Sequence, residues 1–249
     1  MIALFESGNS RLHFSWWDND TVNNAVSIPY PESIEALTNI ITDLLVGEHP
    51  EKIAACSVSS LWREPLFQAL SKYAPGRFFI AKNAFDIDIK VKYDKPETIG
   101  VDRILAGYAA YRFFGDSCVV VDSGTAVTVD AITGNGTFAG GYIFPGLNML
   151  TGALSSQTSL PNMAVEAISD GIGNSTEMCI SHGAGIGFSG AVSNLIRHAA
   201  AITESTDRIV VTGGNAVELL SSLPFKCIHR PHLVLEGLGY SIDTLSPYS

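Results

Sequence analysis

One turn motif occurs twice in the sequence, once in each half. The stretch ALFESGNSRLHF begins at Ala3, and VVVDSGTAVTVD begins at Val119, 116 positions further on. Each stretch joins an apolar run to an acid, a Ser-Gly pair and small polar residues, and each continues into a second apolar segment. This pattern predicts a strand, a tight turn and a returning strand. Two copies of one hairpin indicate a duplicated fold.

Helical patterns alternate with short apolar runs after each hairpin. Apolar residues at helical spacing predict helices over 31–46, 61–73, 101–114 and 175–201. Apolar runs predict strands over 52–58, 78–81, 118–121 and 208–211. Alternating strands and helices are typical of an α/β fold. We therefore expect two similar lobes, residues 1–115 and 116–249, that face each other across a central cleft.

Composition and charge exclude several classes of protein. The 25 acidic and 15 basic residues give a net charge of -10, which argues against a nucleic-acid groove, since such grooves need clustered Lys and Arg. The longest uncharged run, 131–165, is interrupted throughout by Gly, Pro, Asn and Ser, so no membrane span is expected. The four cysteines are widely spaced, which suits reduced thiols in the cytosol better than a disulfide framework. We expect a cytoplasmic protein.

The repeated turn has a chemical interpretation. An acid at the end of a buried strand, followed by Gly and a small polar residue, places backbone N–H groups beside a carboxylate. Such a turn binds a phosphate while the acid holds a metal ion. An ordinary β-hairpin turn, which the same residue types form readily, is the alternative for either copy alone. The repeat in both halves favours phosphate binding.

Two glycine-rich segments add candidates of unequal value. Thr212-Gly213-Gly214 follows a predicted strand, and its bare backbone would let a flat ligand such as adenine approach closely. The segment from Gly185 to Gly190 matches GxGxxG, but it lies within a predicted helix rather than between a strand and a helix. Small residues that let helices pack closely, as at a subunit interface, explain those glycines better than dinucleotide binding.

The segment YDKPETIGVDR, residues 93–103, places an acid and a guanidinium side by side at a predicted helix start. Asp102 has an ordinary explanation there, because the helix dipole favours an N-terminal acid. It is also placed to accept a hydroxyl proton while Arg103 clamps a substrate carboxylate.

Five motifs, in this order, resemble those of the type III pantothenate kinases: ESGNS, IGVDR, DSGTAVTVD, GGYIFPGL and VTGGNA, spread over residues 6–216. The resemblance implies ATP-dependent phosphorylation of the primary hydroxyl of pantothenate, the first step toward coenzyme A. It also implies two duplicated ribonuclease H-like lobes, the actin-like ATPase fold of the acetate and sugar kinases.

Carried over by position, the resemblance implies a set of site residues. Asp102 would be the general base. Pantothenate would contact Tyr93, Gly100, Val101, Asp102, Arg103 and, from the partner subunit of a homodimer, Thr176; Thr158 is an alternative to Thr176. ATP would contact Glu6, Gly8, Asn9, Ser10, Gly124, Thr125, Gly213 and Gly214. Asp122 would bind a monovalent cation, K⁺ or NH₄⁺, and Glu6 would serve Mg²⁺, directly or through water.

The first turn departs from the family pattern. The family typically has Asp, Thr and Lys where this chain has Glu6, Ser10 and His13. The extra methylene of Glu6 shifts its carboxylate by roughly one bond length, about 1.5 Å, and a histidine is a weaker phosphate partner than lysine near neutral pH. These changes leave a second function open, a non-catalytic regulator of the Bvg accessory factor type. His229 and His232 are interpreted as non-ligand histidines, because Pro231 lies between them.

Overall fold

The structure is a computed structural model that describes residues 1–165 and 171–248. The chain forms two compact units. The first contains residues 1–112 and 232–249, and the second contains residues 113–231.

The first unit is built on a mixed sheet. Its elements up to the end of the third helix are β1 (Ile2–Ser7), β2 (Arg11–Asp18), β3 (Thr21–Pro29), α1 (Ile34–Leu45), β4 (Lys52–Ser57), α2 (Arg63–Tyr73), β5 (Phe78–Ala81), β6 (Lys90–Val91) and α3 (Val101–Phe114). Short 3-10 helices occupy Ala84–Asp86 and Pro96–Thr98. β1, β2 and β3 form an antiparallel meander, and β4 and β5 continue the sheet parallel to β1.

The helices of the first unit form where the sequence pattern and the caps agree. Ser33 caps α1, because its hydroxyl accepts a hydrogen bond from the backbone N–H of Ala36 at 3.2 Å. Leu37, Ile41 and Leu45 then recur at four-residue spacing and pack into the core. α3 is buried along most of its length, which is consistent with its apolar residues on every face.

The second unit repeats this topology. Its elements are β7 (Cys118–Ser123), β8 (Ala126–Ile132), β9 (Thr137–Pro145), α4 (Leu147–Gln157), α5 (Thr176–Thr203), β10 (Ile209–Thr212), α6 (Ala216–Leu220) and β11 (Cys227–His229). β7, β8 and β9 form an antiparallel meander, and β10 and β11 extend the sheet parallel to β7. The order β11-β10-β7-β8-β9 matches β5-β4-β1-β2-β3 of the first unit. The predicted duplication and the α/β class are confirmed.

The last elements of the chain, α7 (Leu233–Tyr240) and β12 (Ser246–Pro247), belong to the first unit. β12 pairs with β5, and Gly237 and Gly239 of α7 lie so close to Leu105 and Trp17 that neither glycine has room for a Cβ. The compact units thus differ from the predicted division at 115/116, which assigned residues 232–249 to the second lobe. Among the described helices, none is long and apolar enough to cross a membrane.

Candidate active site

The first predicted phosphate turn joins β1 to β2. Gly8 donates its backbone N–H to the carbonyl oxygen of Arg11 at 3.1 Å, and this bond closes the turn. Asn9 and Ser10 are exposed at its tip. The turn is one residue longer than its counterpart in the second unit, since Ser7 pairs with Leu12 whereas Ser123 pairs with Val127.

Glu6 lies in a row of side chains that crosses the sheet of the first unit. It pairs in register with His13 of β2 and with Cys56 of β4, so the three side chains share one face. Burial, the charge of Arg11 and His232 together lower the pKa of His13 to about 4. His13 is therefore neutral near pH 7, so it places no positive charge beside Glu6.

Asp102 lies at the start of α3, and its carboxylate lies close to Gly100, just before the helix. Its Oδ1 accepts a hydrogen bond from the backbone N–H of Arg103 at 2.8 Å, and it lies so close to Gly100 that a Cβ there would approach within 2.5 Å. Burial raises the pKa of Asp102, against the opposing effects of the Arg103 backbone N–H and charge. The side chain of Arg103 is itself buried, with 8% of its surface exposed.

Glu6 and Asp102 lie near the same buried side chain. Burial raises the pKa of the Cys56 thiol well above its usual value, and the negative charges of Glu6 and then Asp102 raise it further. Cys56 pairs in register with Glu6, and a Cβ at Gly100 would lie 2.5 Å from Oδ1 of Asp102 and 3.8 Å from the side chain of Val58, two residues after Cys56. The structure therefore brings together the acid of the first turn and the predicted base, which are far apart in the sequence.

The second predicted phosphate turn joins β7 to β8. Gly124 donates its N–H to the carbonyl oxygen of Ala126 at 3.0 Å, and Asp122 pairs in register with Thr128 of β8 and with Thr212 of β10. The Thr128 hydroxyl is buried and has no hydrogen-bond partner in the described part of the chain. A hydroxyl oxygen that can coordinate a cation is thus available beside the carboxylate of Asp122.

The glycine pair after β10 meets this second turn. Gly213 has a φ of +93°, and a Cβ there would collide with Oδ1 of Asp122 and with the backbone of Ser123. Asn215 donates its backbone N–H to the Ser123 carbonyl at 2.9 Å and its side-chain amide to the Gly124 carbonyl at 3.1 Å. The predicted cation ligand, phosphate turn and adenosine motif therefore form one cluster in the second unit.

Tyr93 and Thr176 stand apart from these clusters within their own units. Tyr93 is 41% exposed, between β6 and the 3-10 helix at Pro96–Thr98. Thr176 is the exposed first residue of α5, after the cap Ser175. It lines a cavity of about 700 Å³ between α4 and α5 whose other lining residues include none of the second turn or the glycine pair.

Sequence reasoning missed several residues that shape these turns. Asn215 and Gly146 lie inside the quoted motifs VTGGNA and GGYIFPGL, which was the available signal. Gly146 donates its N–H to the Thr125 carbonyl at 3.1 Å, and a Cβ there would strike that same oxygen. Tyr30 and Cys56 carry no local motif, and only strand pairing brings them to the first turn.

Comparison with known proteins assigns the chain to a family. The type III pantothenate kinase family matches residues 2–198. Type III pantothenate kinases from Oleidesulfovibrio alaskensis and Alcanivorax borkumensis are 32% and 29% identical to this chain; each alignment covers 96% of it, with 95% and 97% of the relative.

Solved structures support the fold. A protein from Campylobacter jejuni described as a Baf family transcriptional activator superimposes with a TM-score of 0.64 at 22% identity, covering 97% of both chains. A polyphosphate/ATP-glucomannokinase from Arthrobacter sp. strain KM superimposes with a TM-score of 0.52 at 14% identity, covering 98% of this chain and 99% of the other. These likenesses and the repeated topology agree with an actin-like ATPase fold. On the strength of the sequence match, the chain belongs to the type III pantothenate kinase family.

Proposed function

We propose that the protein phosphorylates pantothenate with ATP to give 4'-phosphopantothenate, the first step of coenzyme A biosynthesis. The observation that carries this proposal is the position of Asp102 near the end of β4, the strand that pairs Cys56 with Glu6: a Cβ at Gly100 would lie 2.5 Å from Oδ1 of Asp102 and 3.8 Å from the side chain of Val58. The metal-binding acid of the phosphate site and the proton acceptor must lie close together in a kinase, because the nucleophile and the transferred phosphoryl group meet in line.

Asp102 is the proposed general base. A carboxylate whose pKa is raised by burial is a better proton acceptor than an exposed one. In this proposal, Asp102 takes the proton of the primary hydroxyl of pantothenate. Arg103 and the backbone at Gly100 and Val101 hold the substrate carboxylate, and Tyr93 contacts the rest of the molecule.

The two turns are the proposed phosphate sites. Gly8, Asn9 and Ser10 in the first unit, and Gly124 and Thr125 in the second, offer backbone N–H groups and hydroxyls to the phosphates of ATP. Gly213 and Gly214 leave a bare backbone for the adenosine. Most of the rate enhancement then comes from positioning and from electrostatic stabilisation of the transferred group.

Two ions fit the residues present. Asp122, together with the unpartnered Thr128 hydroxyl, supplies the oxygen donors that K⁺ prefers, and ammonium would accept the same geometry. Glu6 supplies a carboxylate oxygen of the kind that Mg²⁺ binds, directly or through water. When bound, both ions would offset the negative charge of the phosphates.

The test is ATP turnover with pantothenate, measured with and without potassium or ammonium. We expect turnover that requires the monovalent cation. Asp102→Asn should abolish it while leaving the melting temperature nearly unchanged, whereas Asp94→Asn, at an exposed acid of the same segment, should not affect it. Absence of turnover in the unaltered protein would favour the regulatory alternative, for which the neutral His13 on β2, beside Glu6, is the supporting observation.

We also propose a homodimer in which Thr176 reaches the partner's pantothenate site. Two residues that line this cavity with Thr176 have exposed apolar side chains: Leu154 is 40% exposed and Leu160 36%. An exposed apolar patch of this kind is typical of a protein interface. Mixing Asp102→Asn subunits with Thr176→Val subunits should restore part of the activity that each variant lacks, since a mixed dimer has one intact site. No recovery on mixing would count against the shared site.

The proposed place of action is the cytoplasm. All four cysteines are free thiols, which is consistent with a reducing compartment.

A further inference from the structure

A continuous chain of hydrogen bonds leads from the loop after β4 to the first phosphate turn. The backbone N–H of Ser59 donates to the hydroxyl of Ser57 at 3.2 Å, and that hydroxyl donates to Ser7 at 3.1 Å. The Ser7 hydroxyl lies 2.7 Å from that of Tyr30, which donates to the Gly8 carbonyl at 2.8 Å. Because each hydroxyl has one proton, the donation to Gly8 makes Ser7 the donor to Tyr30.

The last bond of this chain fixes the orientation of a peptide group. In a planar trans peptide, the carbonyl and the next N–H point in opposite directions, and the described chain contains no cis peptide bonds. Tyr30 holds the Gly8 carbonyl on its own side of the turn. The N–H of Asn9 must therefore point the other way, away from Tyr30, where it can meet a phosphate.

We propose that Tyr30 is a positioning residue for the first phosphate turn, and that its hydroxyl sets the affinity of this turn for the nucleotide. This inference rests on the proposed function, because it assumes that residues 8–10 bind phosphate. Tyr30 itself does not contact the nucleotide in this arrangement. It acts through the Gly8–Asn9 peptide.

The surroundings of Tyr30 suit this role. Its ring stacks on Trp62, with centroids 4.9 Å apart and an angle of 6° between the planes, so the phenol has a fixed direction. Burial raises the pKa of Tyr30 to about 12, more than the Ser7 hydrogen bond lowers it, and the charge of Glu6 raises it further. The phenol thus keeps the proton that it donates to Gly8. The serines behind it are buried, with 0% of Ser7 and 4% of Ser57 exposed, so bulk water does not compete for these bonds.

The test compares Tyr30→Phe with Tyr73→Phe. Phenylalanine keeps the stack on Trp62 and removes only the hydroxyl. Tyr73 is the matched control, because its hydroxyl also donates to a backbone carbonyl, that of Leu45 at 2.7 Å, in the same unit but on α1. Both variants lose a tyrosine hydrogen bond to a backbone carbonyl, so a purely structural role predicts the same result for both.

We expect the KM for ATP of Tyr30→Phe to rise about tenfold, equivalent to about 1.4 kcal/mol of binding, while the KM for pantothenate stays within about twofold. Direct titration with ATP should show the same loss of affinity. Tyr73→Phe should lower the melting temperature by a similar amount but leave both KM values unchanged.

An unchanged affinity for ATP in Tyr30→Phe would overturn the inference, and so would an equal loss in Tyr73→Phe. Failure of the proposed function looks different. In that case the unaltered protein does not turn over ATP with pantothenate, whereas the comparison of ATP binding between Tyr30→Phe and the unaltered protein still decides the role of Tyr30.

Discussion

Replacing Gly100 by alanine tests whether the carboxylate of Asp102 must stay where the structure places it. A Cβ at position 100 would lie 2.5 Å from Oδ1 of Asp102, whereas ordinary contact begins at 3.4 Å. The oxygen must therefore move by about 0.9 Å, since a closer approach is strongly repulsive. The backbone does not oppose the substitution, because Gly100 is not among the glycines with positive φ.

The expected consequence is a loss of catalysis without a loss of folding. A misplacement of about 1 Å at a reacting group can reduce the rate by about 100-fold, or about 2.7 kcal/mol in activation free energy. We expect Gly100→Ala to lower kcat/KM for pantothenate by that order, with a melting temperature close to that of the unaltered protein. Coupled measurement of ADP release across a range of pantothenate concentrations gives both constants.

Gly152→Ala is the control, because a Cβ at that position in α4 would meet no atom within 4 Å. It should keep full activity, since alanine also suits a helix better than glycine. If Gly100→Ala folds normally and keeps the kcat/KM of the unaltered protein, then the position of the Asp102 carboxylate does not matter for the reaction, and the assignment of Asp102 as base loses its structural support.

Two further predictions concern the turns. The pKa of His13 falls from 6.5 in the unfolded chain to about 4 in the folded protein, so the unfolded state binds more protons between these values, and the free energy of unfolding falls by at most about 3 kcal/mol as the pH drops through that window. His13→Gln should reduce this pH dependence of the free energy of unfolding, measured by urea unfolding at pH 4.5 and 7. An unchanged pH dependence, or the same reduction in the exposed His198→Gln, would contradict an origin in His13. Gly213→Ala should reduce both the affinity for ATP and the response to potassium, because its Cβ would displace Asp122. Gly76→Ala is the control: Gly76 has a φ of +73° and no atom within 4 Å of its Cβ, so alanine there imposes similar backbone strain without the collision. An equal loss in both variants would refute the role of Asp122.

The sequence predicts the helices closely, because the spacing of apolar residues and the residues at the helix ends are both local features. The helix expected over 101–114 is found at Val101–Phe114, and that expected over 175–201 is found at Thr176–Thr203, after the cap Ser175. β3 was missed, because its exposed and asparagine-rich sequence lacks the alternation of a half-buried strand. Asn19 and Asp20, in the turn before it, adopt positive φ, as these residue types do readily.

In the candidate site, too, some features could be predicted from local sequence and others could not. The turns, the IGVDR segment and the glycine pair were recognisable because each is a short contiguous motif. The supports of these motifs were not recognisable, since they depend on which strands pair. Cys56 reaches Glu6 only through the parallel pairing of β4 with β1, and Tyr30 reaches Gly8 only because β3 returns the chain to the same end of the sheet.

The return of α7 to the first unit has a consequence for biosynthesis. The second unit is one uninterrupted segment, 113–231, so all of its strands are synthesised before the C-terminal segment is made. The first unit is discontinuous, and the strands that carry Glu6 and Cys56 lack their covering helix until residues 233–240 emerge. The N-terminal half of the protein is thus the last part to mature, and premature termination would expose its sheet to aggregation while the later half folds unharmed.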